Sequence, residues 1–302
     1  MNTLYVYTSL YNFFRNYKFL PWWFFTPMRR LTRFLSNRYL PNYLRKSNYK
    51  RHRVEYCLIV SLTSFPDRIN DVWMVIECLK RQTVLPEKII LWLSKKQFPT
   101  KEDIPRSLWN EEDGLFEIRM VDDDIRSHKK YYYVLEEYPE KTIVTCDDDI
   151  FYHPKMIEKL IQSSHLFRGC IVSNVCLRLS YGLNGKLLPY LQWSNAVNSH
   201  DSDDLVQIGL GGVLYPPSSL DEMVLDKELF LRLTPLADDL WLNCMARKKG
   251  TLVVKSQFKY QPLPILNDAP TLTSINCGEY KNDEQMLAIC AYFKNNRMKD
   301  LY

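Results

Sequence analysis

Short apolar runs alternate with segments of helical spacing along most of this 302-residue chain. The apolar runs predict strands, which cover residues 56–61, 88–93, 115–121, 142–146 and 170–173. Apolar residues at helical spacing predict helices, which cover residues 71–82, 154–163 and 285–292. Strands and helices in this order are typical of an α/β fold with a doubly wound, mostly parallel sheet. Such sheets bind their ligands at the carboxyl ends of the strands.

Residues 1–54 follow a different pattern and predict an N-terminal arm, with the α/β domain spanning residues 55–302. The arm carries eleven Lys or Arg side chains, no Asp or Glu, and many aromatic residues. Prolines at positions 21, 27 and 41 predict two or three short helices at most. The rest of the chain carries 29 basic and 35 acidic side chains, so its surface is not expected to bind nucleic acid.

Two interpretations of the arm stay open. Aromatic and basic side chains without acids suit the surface of an anionic membrane, which predicts peripheral membrane contact through residues 1–50. Alternatively, the arm packs its aromatic residues on the domain or on a second subunit. No stretch approaches the roughly 20 uninterrupted apolar residues of a membrane-spanning helix.

The eight cysteines form no CxxC pair, which favours free thiols in a reducing compartment. The sequence also shows no leader of the secretory kind. We therefore expect a cytoplasmic location, at the inner face of the plasma membrane if the arm binds it.

Three consecutive acids, Asp147, Asp148 and Asp149, directly follow the apolar run 142–146. Adjacent carboxylates repel one another at the end of a buried strand, and a divalent cation would relieve that repulsion. Their oxygen atoms suit Mg²⁺ or Mn²⁺, which also bind substrate phosphates. Alternate side chains of an extended segment share a face. Asp147 and Asp149 are therefore predicted to hold the metal, while Asp148 points away.

A second acidic run, residues 122–124, follows the strand predicted at 115–121 and precedes a basic and aromatic segment, residues 126–133. Cations and aromatic rings are suited to contact the phosphates and the base of a nucleotide. We therefore predict that Asp122 and Lys129 contact a nucleotide. His128 alone is expected to be a surface or packing residue.

Residues 61–68, which end the first strand, and residues 142–149, which carry an Asp-X-Asp motif, together resemble the GT-A fold glycosyltransferases. The resemblance covers roughly residues 55–290. It points to bacterial capsule and surface-polysaccharide enzymes related to family 2. It implies a metal-dependent enzyme that moves a sugar from a nucleotide sugar, with a UDP-sugar expected, to a glycan or a lipid-linked oligosaccharide.

The resemblance also implies roles for individual residues at the strand ends. The nucleotide would be held by residues that end the first strand, which here are Thr63, Ser64 and Arg68. The Asp-X-Asp acids would bind Mn²⁺ or Mg²⁺ through Asp147 and Asp149. They would also contact the ribose or sugar through Asp147, and through Asp148 if the three consecutive acids take another register.

Further roles fall in the second half of the chain. A glycine-rich segment would line the donor-sugar pocket through Gly211 and Gly212. An acid at the helix start predicted near residue 238 would deprotonate the acceptor hydroxyl, and Asp239 is preferred to Asp238 for this role. The expected reaction is then a single displacement with inversion. Trp193 is predicted to stack on an acceptor sugar, and burial in the core is the alternative.

Two other functions stay open at this point. A nucleotidyltransferase would require a glycine-rich segment with Arg or Lys directly after the first strand, and residues 61–68 contain no glycine. A non-catalytic, membrane-associated scaffold that binds glycans would not require two acidic runs at strand ends. Metal-independent nucleotide binding would favour the scaffold.

Overall fold

The computed structural model describes residues 2–16, 22–47, 53–197, 201–202, 204–259, 261–267 and 281–295. The helices are α1 (Thr3–Asn16), α2 (Trp22–Lys46), α3 (Val72–Lys80), α4 (Arg106–Trp109), α5 (Lys129–Glu137), α6 (Met156–Leu166), α7 (Lys227–Leu233), α8 (Asp238–Lys249) and α9 (Lys281–Asn295). The strands are β1 (Arg53–Thr63), β2 (Val84–Ser94), β3 (Phe116–Val121), β4 (Thr142–Thr145), β5 (Ile150–Phe151), β6 (Ile171–Ser173), β7 (Cys176–Arg178), β8 (Ser194–Asn195), β9 (Asp201–Ser202), β10 (Leu205–Gln207), β11 (Val213–Tyr215), β12 (Val253–Lys255) and β13 (Leu263–Pro264).

Within the described residues, one large sheet has the strand order β3-β2-β1-β4-β11-β6-β12-β9. The pairs β3–β2, β2–β1, β1–β4 and β6–β12 are parallel, whereas β11 and β9 are antiparallel to their neighbours. Helix α5 packs against β1, and α6 packs against β6 and β11. The predicted α/β fold with a mostly parallel sheet flanked by helices is confirmed. Each strand and helix predicted from the hydrophobic pattern has a counterpart.

The strand order reverses direction at the pair β1–β4. From β1 the chain adds β2 and then β3 on one side of the sheet, whereas β4 pairs on the other side. In open α/β sheets a crevice forms at the carboxyl ends of the strands at such a point, and ligands bind there. The segment after β1, which begins at Ser64, and the acidic run after β4 both lie at this crevice.

The N-terminal arm is packed on the α/β domain. Leu4, Leu40 and Leu44 are buried in the same apolar cluster as Val60 of β1. The guanidinium of Arg81 also donates hydrogen bonds of 2.8 Å each to two main-chain carbonyls at the end of the arm, those of residues 44 and 47. The packing interpretation is therefore correct for the inner side of the arm.

Helix α2 is longer than the short helices that the positions of the prolines predicted. It runs for 25 residues and includes Pro27 and Pro41. A proline inside a helix removes one backbone donor and crowds the preceding turn. The burial of Leu40 and Leu44 against the domain offsets that cost, so the expectation of short helices is wrong for this segment. None of the described helices is both long and apolar enough to cross a bilayer.

Candidate active site

The acidic run after β4 is held by side chains from the end of β1. Ser64 donates a 2.6 Å hydrogen bond to Asp148, and the guanidinium of Arg68 lies 2.9 Å from Asp148 and 2.9 Å from Asp149. Ser64, Arg68 and Asp148 are all buried. Burial raises the pKa of Asp148, and the contacts with Arg68 and Ser64 oppose that rise. Ser64 and Arg68, which were predicted to hold the nucleotide, therefore position the acidic run.

Asp148 and Asp149 lie in a turn and do not continue the strand. They share Arg68, whereas Asp147 contacts Lys130. The predicted alternation is wrong in this detail, because β4 ends at residue 145. Asp147 and Asp149 nevertheless keep 29% and 23% of their side chains exposed, against 7% for Asp148. They are therefore the two members of the run with surface open to a ligand.

Lys130, in the first turn of α5, joins two acidic segments. Its ammonium group lies 2.9 Å from Asp147 Oδ1 and 2.8 Å from Asp238 Oδ2. The Ser61 hydroxyl donates a 2.5 Å hydrogen bond to the Lys130 carbonyl and accepts one of 2.9 Å from the ring N–H of Trp92. Burial alone would lower the pKa of Lys130. The carboxylates of Asp147 and Asp238 raise it by more than that, so it lies well above the ordinary lysine value. Lys130 therefore stays charged inside the protein.

Asp239, at the start of α8, faces the same place. The backbone N–H of Gly209 donates a 3.1 Å hydrogen bond to its carboxylate. A Cβ atom at Gly209 would lie 3.1 Å from Asp147 Oδ1, 3.1 Å from Lys130 Nζ and 3.3 Å from Asp239 Oδ1. Burial and the neighbouring Asp238 raise the pKa of Asp239 to about 8. Burial also acts on Asp238, but Lys130 lowers its pKa below the ordinary value. The pKa values of these two adjacent acids are therefore shifted in opposite directions.

The glycine-rich segment reaches this cluster through one glycine. Strand β11 pairs antiparallel with β4, so the turn before β11 lies beside the acidic run and brings Gly209 to it. A Cβ atom at Gly211 would lie 2.7 Å from the Val175 side chain, and one at Gly212, where φ is +80°, would lie 2.8 Å from the Met156 sulfur. Gly211 and Gly212 therefore serve close packing, and Gly209 is the glycine of this segment that lies against Asp147, Lys130 and Asp239.

The cluster contains an excess of acidic over basic side chains. Five carboxyl groups meet two buried cations, and these residues are Asp147, Asp148, Asp149, Asp238, Asp239, Arg68 and Lys130. Burial and the adjacent acids raise the pKa of Asp149 to about 7. A divalent cation would offset this excess, and carboxylate oxygens suit Mg²⁺ or Mn²⁺.

No group of three or more His, Cys, Asp or Glu side chains in the described part of the chain is arranged to hold a metal ion. Asp147 and Asp149 could supply two oxygen ligands. Mg²⁺ commonly takes one or two carboxylates from a protein and completes its shell with water and substrate phosphates. The acids present therefore fit such an ion, bound together with a diphosphate.

Three other predicted contacts have different partners. Lys129 is buried, with its ammonium 2.5 Å from Asp124. Asp122 is exposed and lies 2.7 Å from Lys95. The Thr63 hydroxyl donates a 2.8 Å hydrogen bond to a main-chain carbonyl of β2. None of the contacts described for these side chains reaches the cluster at Gly209.

Trp193 and His128 are core residues. Only 6% of Trp193 is exposed, its ring N–H donates a 2.8 Å hydrogen bond to the Leu188 carbonyl, and its ring packs on Tyr190. The predicted stacking on an acceptor sugar has no open ring face here, so burial, the alternative, describes Trp193. His128 is fully buried and stacks on Phe230, which confirms its expected packing role.

Lys130 and Gly209 are the two site residues that the sequence did not single out. Lys129 and Lys130 are adjacent, and neighbours on a helix point about 100° apart. Only the docking of α5 on β1 decides which of them faces the acidic run. Gly209 stood in the glycine-rich segment. Of the three glycines in that segment, Gly209 comes first, at the start of the turn that follows β10. That position could have selected it.

No known family profile matches the chain, and no curated protein matches it. Solved structures show distant likenesses. The apo UDP-glucose pyrophosphorylase is 10% identical over 81% of this chain and 99% of its own, with a TM-score of 0.40. A UDP-glucose pyrophosphorylase complexed with UDP-glucose is 12% identical over 81% of this chain and 99% of its own, with a TM-score of 0.39. HddC from Yersinia pseudotuberculosis is 14% identical over 57% of this chain and 80% of its own, with a TM-score of 0.36. Likenesses this distant do not decide the reaction.

Proposed function

We propose that this protein binds a nucleotide sugar at the carboxyl ends of β1 and β4 and transfers the sugar to an acceptor hydroxyl. The observation that carries the proposal is the meeting of Asp147 and Asp239 at Gly209. It brings Asp147, the proposed metal ligand, together with Asp239, whose pKa is raised to about 8. Transfer to a hydroxyl requires both functions at one place.

In this proposal, Asp147 and Asp149 hold Mg²⁺ or Mn²⁺ with the diphosphate of the donor. When bound, such an ion acts as a Lewis acid that stabilises negative charge on the leaving diphosphate. Ser64 and Arg68 keep the acidic run in place through Asp148. Lys130 fixes the distance between the donor side and the helix that carries the base.

Asp239 is the proposed base. The acceptor oxygen forms a bond to C1 of the sugar, and the bond from C1 to the diphosphate oxygen breaks. The nucleoside diphosphate leaves with the electron pair, and the acceptor proton passes to Asp239. A base works best when its pKa lies near the working pH, which favours Asp239 over the lysine-paired Asp238. Attack opposite the leaving group would invert the anomeric configuration.

Nucleotidyl transfer, the chemistry of a pyrophosphorylase, is the second candidate. Its nucleophile is a sugar phosphate, which is largely ionised at neutral pH and has no proton for a base to remove. Two phosphorylated substrates would also favour a surplus of cations, whereas Arg68 and Lys130 are already paired with acids. These features support sugar transfer. The family 2 relationship, a role in surface polysaccharide synthesis and a glycan or lipid-linked acceptor rest on the resemblance.

Calorimetric titration with UDP and with GDP, each with and without Mn²⁺, tests the donor site. We expect Mn²⁺-dependent binding of one nucleotide, and its loss in Asp147→Asn and Asp149→Asn. Glu140→Gln, which changes an exposed acid just before the same strand, is the matched control and should bind normally. Binding that ignores both the metal and the substitutions would contradict the proposal.

A product assay separates the two reactions. Sugar transfer releases a nucleoside diphosphate from a nucleotide sugar. Nucleotidyl transfer instead joins the nucleotidyl group of a nucleoside triphosphate to a sugar 1-phosphate. It releases pyrophosphate from the triphosphate. Release of pyrophosphate alone would replace the first candidate by the second.

A further inference from the structure

The outward side of α2 combines exposed apolar side chains with cations. Phe34 and Leu31 have 62% and 47% of their surface exposed, and Trp23 has 63%. Arg30 and Arg38 are exposed as well. Residues 23, 30, 31, 34 and 38 fall on one side of a helix by their spacing. We define these five residues as the α2 face.

The orientation of the α2 face is fixed by the other side of the helix. Ser36, Leu40 and Leu44 are almost fully buried, and the two leucines pack in the apolar cluster of the α/β domain. The helix cannot turn its aromatic residues inward without exposing these leucines. The α2 face is therefore a permanent part of the protein surface.

We propose that the α2 face docks on an anionic lipid bilayer. Phenylalanine, tryptophan and leucine side chains enter the boundary between headgroups and acyl chains, while arginine meets the lipid phosphates. Charge complementarity supports a lipid surface, because residues 1–54 carry eleven basic and no acidic side chains. A second copy of the chain is a poorer occupant, since a symmetric contact through this face would bring Arg30 and Arg38 against arginines.

The helix that carries the α2 face is joined to the candidate active site by hydrogen bonds. Asn37 on α2 donates a 3.1 Å hydrogen bond to the Pro264 carbonyl and accepts one of 2.8 Å from the Leu266 N–H. Between those residues, the Ile265 N–H donates a 2.7 Å hydrogen bond to the Asp149 carbonyl. A path of hydrogen bonds through the Asn37 side chain and the backbone of residues 264–266 thus links α2 to the main chain of Asp149. If the proposed transfer is correct, an acceptor anchored in the bilayer would be presented there.

Sedimentation of the full chain with lipid vesicles tests the docking. One set of vesicles contains phosphatidylcholine alone, and the other contains phosphatidylcholine with about one third phosphatidylglycerol. We expect at least about tenfold tighter binding to the anionic vesicles. The double variants Leu31→Ser/Phe34→Ser and Arg30→Glu/Arg38→Glu should each weaken that binding by about tenfold or more.

Leu166→Ser/Leu287→Ser is the matched control, because these leucines are 64% and 68% exposed on other helices. It should bind vesicles as the wild type does, and thermal melting should show all variants folded. Wild-type protein that ignores anionic vesicles would overturn the proposal, as would α2-face variants that bind equally well. Light scattering that shows a dimer lost in Leu31→Ser/Phe34→Ser, without vesicle binding, would assign the face to a second copy.

Nucleotide binding by the same variants separates this inference from the proposed function. The α2-face variants should bind UDP or GDP as the wild type does, because none of the substituted residues touches the acidic cluster. Loss of vesicle binding with nucleotide binding retained supports docking by itself. Vesicle binding by a protein that binds no nucleotide would leave the docking intact and contradict the proposed donor site.

Discussion

The ammonium group of Lys130 lies 2.9 Å from the carboxylate of Asp147 and 2.8 Å from the carboxylate of Asp238. The two acids come from distant parts of the chain, one after β4 and one at the start of α8. A single side chain from α5 therefore holds three elements together. The charge of Lys130 supports both the stability and the geometry of the candidate site.

Replacement of Lys130 by methionine should lower the free energy of unfolding by about 3–5 kcal/mol. The change leaves the buried Asp238 without its cation, and breaking a buried pair from one side carries a cost of that order. Urea denaturation at neutral pH measures it. Lys141→Met is the control, because the Lys141–Glu87 pair is about 30% exposed on both sides and its loss should change stability far less. Equal effects of the two substitutions would contradict the role of Lys130.

Gly209→Ala should lower activity by about tenfold or more while the protein stays folded. The added methyl group would crowd Asp147, Lys130 and Asp239 at 3.1–3.3 Å, and small displacements of reacting groups are costly in rate. Steady-state kinetics, or Mn²⁺-dependent nucleotide binding, measures the effect. The matched control is Gly114→Ala, whose new Cβ atom would have no neighbour within 4 Å. Normal activity in Gly209→Ala would remove this glycine from the site.

Asp239→Asn should reduce sugar transfer by at least about 100-fold, the usual range for loss of a general base. The amide still accepts the hydrogen bond from Gly209, so nucleotide binding should persist. A normal rate in this variant would assign the base elsewhere.

The same substitution should make the metal-free protein more stable in a pH-dependent way. The folded protein holds the Asp239 proton up to about pH 8, whereas an unfolded aspartate loses it near pH 4. The folded state thus binds more protons in this window, so wild-type stability decreases as the pH rises through it. The advantage of asparagine in melting temperature should grow from pH 5 to pH 8. A pH-independent difference would show that the pKa of Asp239 is not raised.

Leu44→Ala should lower the free energy of unfolding by about 2–5 kcal/mol, because Leu44 is 1% exposed in the core shared with the sheet. Leu31→Ala, on the same helix but 47% exposed, should have little effect. Chemical denaturation compares the two. Similar small effects would mean that the arm contributes little to the stability of the domain.

The hydrophobic pattern was sufficient for the sheet and for the place of the acidic run. Strands such as β4 are defined by local composition, and their carboxyl ends meet at one edge whatever the loops do. Asp147 and Asp239 could be proposed because three consecutive acids follow a buried strand and two adjacent acids begin a helix. These are more acids than a turn or a helix cap requires. Local sequence therefore located the crevice.

The partners within the crevice could not be predicted in the same way. Whether Lys129 or Lys130 faces the acidic run after β4 depends on how α5 docks on the sheet, where the Ser61 hydroxyl, distant in sequence, donates a hydrogen bond to the Lys130 carbonyl. Trp193 has the composition of a sugar-stacking residue, but its burial is decided by its surroundings in the fold. Helix α2 continues past Pro41 because tertiary packing outweighs local propensity. In each case the deciding contact is remote in sequence.

The hydrogen bonds between Asn37 and residues 264–266 also set an order of events during protein synthesis. Asn37 and Leu266 are 229 residues apart in the chain, and translation at about 5–20 residues per second needs roughly 10 to 50 seconds to cover that interval. Until then the arm cannot form its contacts with residues 264–266. The arm can pack on β1 and α3 soon after those elements are made, but it can be joined to residues 264–266 only when most of the chain has been synthesised.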